Sequence, residues 1–161
     1  MSKIKNKIIF SSILLFSIFA LIAAYFIEHV LKHQPCNLCL VERIPYFFSI
    51  IVILICLLTK KFEKLSLIIL SLIFFVATLI AFYHFGIEQG FITESLVCDL
   101  SDNNNNLSKE ALLSQLKEMP VSCKDVTFKV LGLSLATFNI FISLILGVIN
   151  MKLFLTYEKN R

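Results

Sequence analysis

The sequence predicts an all-α membrane protein, a four-transmembrane-helix bundle with both termini in the cytoplasm and a short amphipathic helix in its second periplasmic loop. Three observations predict this fold class. Hydrophobic residues make up 58% of the 161-residue chain, and the mean hydropathy of +0.86 is unlike that of a soluble domain. The apolar residues fall into four runs separated by charged segments. The basic residues concentrate in alternate segments between and around these runs.

The four apolar runs are the predicted membrane spans of a single domain that covers residues 1–161. We expect the spans at about 8–27, 45–59, 65–83 and 130–149, and loops on one side of the membrane at about 28–44 and 84–129. A helix needs about 20 residues to cross a bilayer, and the second run has only about 15. Its helix must therefore extend back through the polar segment before it. A cleavable signal peptide is the alternative for the first run, which nevertheless stays apolar beyond its small residues.

The distribution of charge predicts the orientation of the spans. Three Lys residues precede the first span, three lie in the turn after the second, and three basic residues follow the fourth, so nine of the fifteen Lys and Arg share one side. The positive-inside rule places that side in the cytoplasm. Both loops then face the periplasm of a bacterial inner membrane, together with nine of the eleven acidic residues and four of the five cysteines. Paired cysteines in an oxidising compartment indicate disulfide chemistry.

The second loop is too small and polar to form a core of its own. A polar Asn-rich run at 101–106 precedes a segment, 107–119, whose apolar residues recur with helical spacing. We interpret 107–119 as an amphipathic helix on the membrane surface that ends before Pro120. Cys98 and Cys123 flank these pieces, and a disulfide between them would close a loop of about 25 residues, worth roughly 3 kcal/mol. A purely structural disulfide is one interpretation of this pair.

The first loop contains a Cys-x-x-Cys motif formed by Cys36 and Cys39. If Pro35 opens a helix, then Cys36, Cys39 and Arg43 share one helical face. A helix N-terminus and a guanidinium both favour a thiolate, so we expect a lowered pKa for one cysteine of the pair. This pattern predicts a redox-active site at the membrane edge.

Other interpretations of the motif remain open. Cys36 and Cys39 with His29 and His33 form a possible metal site, which predicts a membrane metal-binding or transport protein instead of an enzyme. A c-type haem would need His after the second cysteine, where Leu40 stands. A structural membrane subunit whose disulfides only fasten its loops is a third possibility.

Two cysteine pairs on one side of the membrane can pass two electrons from an external dithiol, through the loop pair, to the motif pair. This route needs a final acceptor. The sequence has no Gly-rich nucleotide fingerprint and no haem signature, so a membrane quinone fits best. Arg43 and His84 are the candidate residues for the acceptor site, whereas a snorkelling Arg and an interfacial His are the structural alternatives.

Three blocks of the sequence resemble the disulfide bond formation protein B (DsbB) family, the quinone-reducing thiol oxidases of bacterial inner membranes. The blocks are Pro-Cys-Asn-Leu-Cys-Leu-Val-Glu-Arg at 35–43, Phe-Tyr-His-Phe-Gly-Ile-Glu-Gln-Gly at 82–90, and Cys123 followed by Phe-Lys-Val-Leu-Gly-Leu-Ser-Leu-Ala-Thr-Phe-Asn at 128–139. The resemblance covers all four spans and both loops. It implies a protein-disulfide oxidoreductase that uses ubiquinone or menaquinone and reoxidises a periplasmic dithiol oxidase of the DsbA type.

The resemblance also implies roles for single residues. Cys98 and Cys123 would form the loop disulfide, with Cys98 attacked by the partner and Cys123 then exchanging with Cys36. Cys39 would act as the thiolate donor to the quinone.

The same resemblance implies that Arg43 holds the quinone, with His84 close by. Glu42 and Glu88 match family positions without a role that the sequence reveals. The Asn run and the segment 92–97 depart from the family pattern, which leaves open a dedicated oxidase of the related DsbI type.

Overall fold

Four long apolar helices make up most of the described part of the chain. The structure is a computed structural model, and it describes residues 2–59, 62–93, 123–124, 129–130 and 132–159. Its helices are α1 (Ser2–His29), α2 (Asn37–Val41), α3 (Ile44–Thr59), α4 (Glu63–Glu88) and α5 (Leu135–Lys159). Strands β1 (Lys129–Val130) and β2 (Leu133–Ser134) form an antiparallel hairpin just before α5.

Within the described residues, four helical stretches are long and apolar enough to cross a membrane. They are Lys7–His29, Asn37–Thr59, Glu63–Glu88 and Leu135–Thr156. The predicted class, an all-α membrane protein with four spanning helices, is confirmed. The predicted amphipathic helix at 107–119 lies outside the described residues.

The second span begins in the cysteine motif, as its short apolar run required. α2 and α3 are separated only by a turn at Glu42 and Arg43, and together they form the stretch Asn37–Thr59. The turn places Glu42 and Arg43 just before the apolar run of α3, where their side chains can reach groups on other helices.

The third spanning helix, α4, is longer than the sequence indicated. The apolar run predicted an end at 83, but α4 continues to Glu88. It ends where Gly90 takes a φ of +75°, and the Phe91 N–H donates to the Gly86 carbonyl oxygen at 2.9 Å. His84 and Glu88 therefore lie on the last turns of a helix and not in a loop.

The fourth spanning helix, α5, starts later than predicted. The sequence suggested a span from 130, but the hairpin occupies that position, with Gly132 at a φ of +83° in its turn. Ser134 caps α5, because its Oγ accepts the Thr137 backbone N–H at 3.3 Å.

The core of the bundle lies between α1, α3 and α4, where nine buried apolar side chains form one cluster: Phe10, Ile13, Leu21, Tyr46, Ile53, Cys56, Leu67, Leu70 and Phe74. Small polar residues join the helices, as in the 3.0 Å contact between the Ser17 and Ser49 hydroxyls. Large apolar side chains such as Leu15, Leu58 and Leu79 are exposed on the outside. Apolar surface of this kind suits contact with lipid.

Candidate active site

The cysteine motif caps its helix with a sulfur atom. Cys36 has an extended backbone, with φ −72° and ψ 166°, and its Sγ accepts the Cys39 backbone N–H at 3.3 Å. The helix thus begins at Asn37, and the expectation that Pro35 opens it is wrong, because Cys36 already supplies the cap. The Cys36 and Cys39 sulfurs still meet, 2.6 Å apart.

The Cys36 thiol is in a poor environment for a negative charge. The contact with Cys39 and burial of the side chain together raise the pKa of Cys36 to about 12, against the opposing effect of His84. The sequence predicted a lowered pKa for one cysteine of the pair, and Cys36 is not that cysteine.

His84 reaches the cysteine pair from α4. Its Nε2 lies 3.5 Å from Cys36 Sγ, and its Nδ1 lies 2.7 Å from Glu42 Oε1. The side chain of His84 is 4% exposed. Glu42, for which the sequence offered no role, thus holds the ring that faces Cys36.

A polar network continues from Glu42 into α3 and α5. Asn139 Nδ2 donates to Glu42 Oε2 at 2.8 Å, and Asn139 Oδ1 accepts the Tyr46 hydroxyl at 2.5 Å and the Ser143 hydroxyl at 3.1 Å. Three spans therefore converge on one carboxylate. The only sequence signal for this role is an ionisable residue at the edge of an apolar run.

Glu88 lies one turn after His84 on α4. Its Oε1 is 3.7 Å from His84 Nε2, its side chain is 5% exposed, and its Oε2 has no hydrogen-bond partner among the described residues. His84 therefore has a carboxylate near each ring nitrogen, Glu42 at Nδ1 and Glu88 at Nε2. A buried oxygen without a partner is uncommon and marks a site of interest.

Arg43 is tied to the end of α1. Its guanidinium donates to Glu28 Oε2 at 2.5 Å and lies over the Tyr25 ring, 5.1 Å from the centroid. The sequence placed Arg43 near Cys39 but could not identify Glu28 and Tyr25 as its neighbours. The pair is largely covered, with side-chain exposures of 14% and 27%.

These side chains surround a cavity of about 360 Å³. Cys36, Cys39, Arg43 and His84 line it, and much of its wall is apolar side chain from α1 and α5: Phe16, Phe19, Ala20, Leu135, Phe138 and Ile142. The cavity thus has reactive and charged groups within a mainly hydrophobic wall.

Cys123 lines the same cavity and packs in one buried cluster with Cys36, Leu38 and Ile87. The structure thus brings three of the four predicted redox cysteines together. Cys98 lies outside the described residues.

The predicted alternative metal site does not assemble as the sequence suggested. His29 Nδ1 instead contacts the Tyr25 carbonyl oxygen at the exposed end of α1. Among the described residues, the potential ligand atoms that converge on the cysteine pair belong to Cys36, Cys39 and His84.

A membrane helix bundle that holds a Cys-x-x-Cys pair beside a buried third cysteine and a buried histidine has the architecture of a membrane-bound thiol oxidoreductase. The family model of the disulfide bond formation protein DsbB matches residues 6–153. The chain belongs to the DsbB family, and the resemblance found in the sequence is confirmed. The chain is also similar to the uncharacterized protein RP370 of Rickettsia prowazekii (strain Madrid E), at 28% identity over 160 residues, which is 98% of this chain and 92% of that protein.

Proposed function

We propose that the protein is a quinone-dependent thiol–disulfide oxidoreductase of the bacterial inner membrane that reoxidises a periplasmic dithiol oxidase of the DsbA type. The observation that carries the proposal is the convergence of Cys36, Cys39, Cys123 and His84 on one mainly apolar cavity. Membership in the DsbB family supports the reaction class.

The proposed orientation rests on charge. Nine of fifteen basic residues flank one side of the four spans, and the positive-inside rule makes that side cytoplasmic. Both termini are then cytoplasmic, and the cavity with its cysteines opens toward the periplasm, where the thiol substrate is.

The first exchange takes place in the second loop. A thiolate of the partner attacks Cys98, breaks the Cys98–Cys123 disulfide and leaves Cys123 as a thiolate. Attack by the second thiolate of the partner releases Cys98 and completes the partner's disulfide. Two electrons have then entered the loop pair.

The second exchange moves these electrons to the motif pair. The Cys123 thiolate attacks Cys36 of a Cys36–Cys39 disulfide, and Cys39 leaves as a thiolate. The Cys98 thiolate then attacks Cys123, which restores the loop disulfide and leaves Cys36 and Cys39 reduced. The order of attack is supported by packing, since Cys123 and Cys36 share one buried cluster.

His84 can assist the exchanges at Cys36, whose raised pKa would otherwise make it a poor leaving group when Cys98 attacks Cys123. His84, fixed by Glu42, lies at hydrogen-bonding distance from Cys36 and can hold the proton that Cys36 gains or loses.

The residues around the cavity fit a quinone head group. A volume of about 360 Å³ falls in the range of small-molecule sites. The Phe, Ala and Leu side chains suit an apolar ring and tail, and Arg43 can donate a hydrogen bond to a quinone oxygen. When bound, ubiquinone or menaquinone supplies an acceptor for two electrons and two protons. Arg43 and His84 are its proposed binding residues, beside the Cys39 sulfur.

The test is covalent trapping of the partner. A Cys123→Ser protein keeps Cys98 as a thiol that can attack the disulfide of the oxidised partner, and it lacks the Cys123 thiol that would release the partner by closing the loop disulfide. It should therefore accumulate a mixed disulfide with a periplasmic thioredoxin-like protein on non-reducing gels. The matched Cys98→Ser protein should trap much less. Equal trapping by both variants, or by neither, would contradict the proposed order.

A further inference from the structure

We propose that the reduced motif pair is also a binding site for a thiophilic divalent cation such as Zn²⁺, with Cys36, Cys39, His84 and Glu88 as its four ligands. The potential ligand atoms of the first three residues lie within 4.8 Å of one another. Two thiolates and an imidazole are ligands that Zn²⁺ prefers. Binding releases the two thiol protons, and no electrons move.

Glu88 completes the set. Its carboxylate is buried, with one oxygen 3.7 Å from His84 Nε2 and the other without a hydrogen-bond partner. A tetrahedral zinc site takes four ligands, and carboxylates serve alongside Cys and His. The carboxylate lies next to His84 but outside the converging group of the other three ligand atoms, so it must turn toward them to become the fourth ligand.

The surroundings of His84 match those of a metal-binding histidine. Such a residue usually donates its second ring N–H to a carboxylate, which fixes the ring and leaves the other nitrogen as the ligand. Glu42 takes this part at Nδ1, at 2.7 Å, and Asn139 holds the same carboxylate from its far side. Nε2, which faces Cys36, is left to bind the metal.

The distances among the Cys36, Cys39 and His84 ligand atoms require one small movement. With bonds of about 2.3 Å to sulfur and 2.0 Å to nitrogen, tetrahedral Zn²⁺ sets its ligand atoms about 3.5–3.8 Å apart. Cys36 Sγ and His84 Nε2 are already 3.5 Å apart. The two sulfurs must separate from 2.6 Å, which rotation of the half-buried Cys39 side chain into the cavity can provide.

A bound cation would hold both sulfurs as thiolates and prevent them from forming a disulfide. The cation would thereby inhibit the enzyme in its reduced state. The binding site is argued from geometry alone, whereas this inhibition rests on the proposed function.

Binding is measured on the full-length protein in detergent, after the protein has been reduced and the reductant removed. Zn²⁺ is titrated in competition with a chromophoric chelator. Cd²⁺ is titrated separately and followed by the charge-transfer absorption of its thiolate complex. The reduced protein should bind one equivalent, and the protein with an oxidised motif pair should bind at least 100-fold more weakly. Glu88→Gln removes a proposed ligand and should weaken binding by at least about 10- to 100-fold, the loss that follows when a residue supporting a metal ligand is replaced.

Three control variants assign the ligands. Cys56→Ser removes a core cysteine, Cys98→Ser/Cys123→Ser removes the loop pair, and His29→Ala/His33→Ala removes the histidines of the alternative set. All three should bind as the unmodified protein does. The proposal is overturned by absence of binding, by full binding in Cys36→Ser or Glu88→Gln, or by loss of binding in a control variant.

The same preparations separate this proposal from the proposed function. Turnover with a reduced partner and quinone, in a protein that binds no metal, would refute the metal site alone. Metal binding in a protein that never turns over would refute the proposed function alone. The thermal unfolding temperatures of the oxidised Glu88→Gln and Glu88→Asp proteins are compared with that of the unmodified protein. Unchanged temperatures show that a loss of metal binding does not come from misfolding.

Discussion

Replacing Glu42 with Gln tests the hydrogen-bond network behind the cysteine pair. In the native protein both carboxylate oxygens face nitrogen atoms, Nδ1 of His84 at 2.7 Å and Nδ2 of Asn139 at 2.8 Å. A carboxylate can accept from both, whereas Gln offers one oxygen and one NH₂ group. If the Gln NH₂ group faces Asn139, it meets the Asn139 NH₂ group, which is also a donor. If it faces His84, it meets the Nδ1–H donor unless the imidazole proton moves to Nε2.

The size of the effect follows from that mismatch. A buried donor left without an acceptor costs about 1–3 kcal/mol, which corresponds to roughly 5- to 140-fold in an equilibrium constant. We expect Glu42→Gln to lower the free energy of unfolding of the oxidised protein by about this amount. Exchange at Cys36 should slow as well, because His84 is no longer held toward it.

A second substitution should reverse the loss. In Glu42→Gln/Asn139→Asp, the new carboxylate accepts from the Gln amide, while its other oxygen still accepts the Tyr46 and Ser143 hydroxyls. The donors and acceptors match again, and the negative charge has moved by only one side chain.

The assay is a double-mutant cycle on unfolding in detergent, combined with the rate of partner oxidation. The double variant should recover at least half of the stability that Glu42→Gln loses, which gives a favourable coupling energy of about 1 kcal/mol or more. Additive losses, with no recovery in the double variant, would refute the assigned network.

Three further predictions concern the acceptor site, the cysteines and the topology. Arg43→Ala should raise the KM for quinone by about 10- to 100-fold, because a charge-assisted hydrogen bond is worth about 1.5–3 kcal/mol. Arg43→Lys should restore the KM only partly. An unchanged KM in quinone-reduction kinetics would return Arg43 to a structural role. Cys56→Ser should retain turnover, because Cys56 packs in the core, whereas Cys36→Ser should abolish it; activity in Cys36→Ser would exclude the motif pair as the electron exit. A reporter fused after Lys61 should report a cytoplasmic location and one near Asn104 a periplasmic one; the reverse result would place the cysteines on the wrong side for a periplasmic substrate.

The sequence predicted the parts of this fold that depend on local pattern. Apolar runs of sufficient length predicted the four spanning helices, and the deficit of the second run predicted its extension into the cysteine motif. Where a helix ends depends on single backbone angles, and here the prediction was less accurate. Gly90 marks the end of α4, and Gly132 lies in the hairpin turn just before α5. Hydropathy alone reveals neither position.

The candidate site could be predicted only where its residues are neighbours in sequence. Cys36, Cys39 and Arg43 were found from their spacing. Glu42 was not assigned a role, because its contacts with His84 and Asn139 cross 42 and 97 residues of chain and exist only once three helices have packed. The direction of the Cys36 pKa shift likewise depends on burial and on the approach of His84, both of which are tertiary properties.

The central claim is that electrons from a periplasmic dithiol reach a membrane quinone through the motif pair. The most direct measurement is the anaerobic stoichiometry of the purified protein with a reduced DsbA-type partner and a soluble quinone, with quinone reduction and partner oxidation followed in the same sample. We predict one quinone reduced for each partner disulfide formed. In Cys36→Ser or Cys39→Ser protein we predict no quinone reduction and no partner oxidation beyond the single equivalent that the loop disulfide supplies. Partner oxidation without quinone reduction, or equal quinone reduction by the Cys39→Ser protein, would contradict the claim.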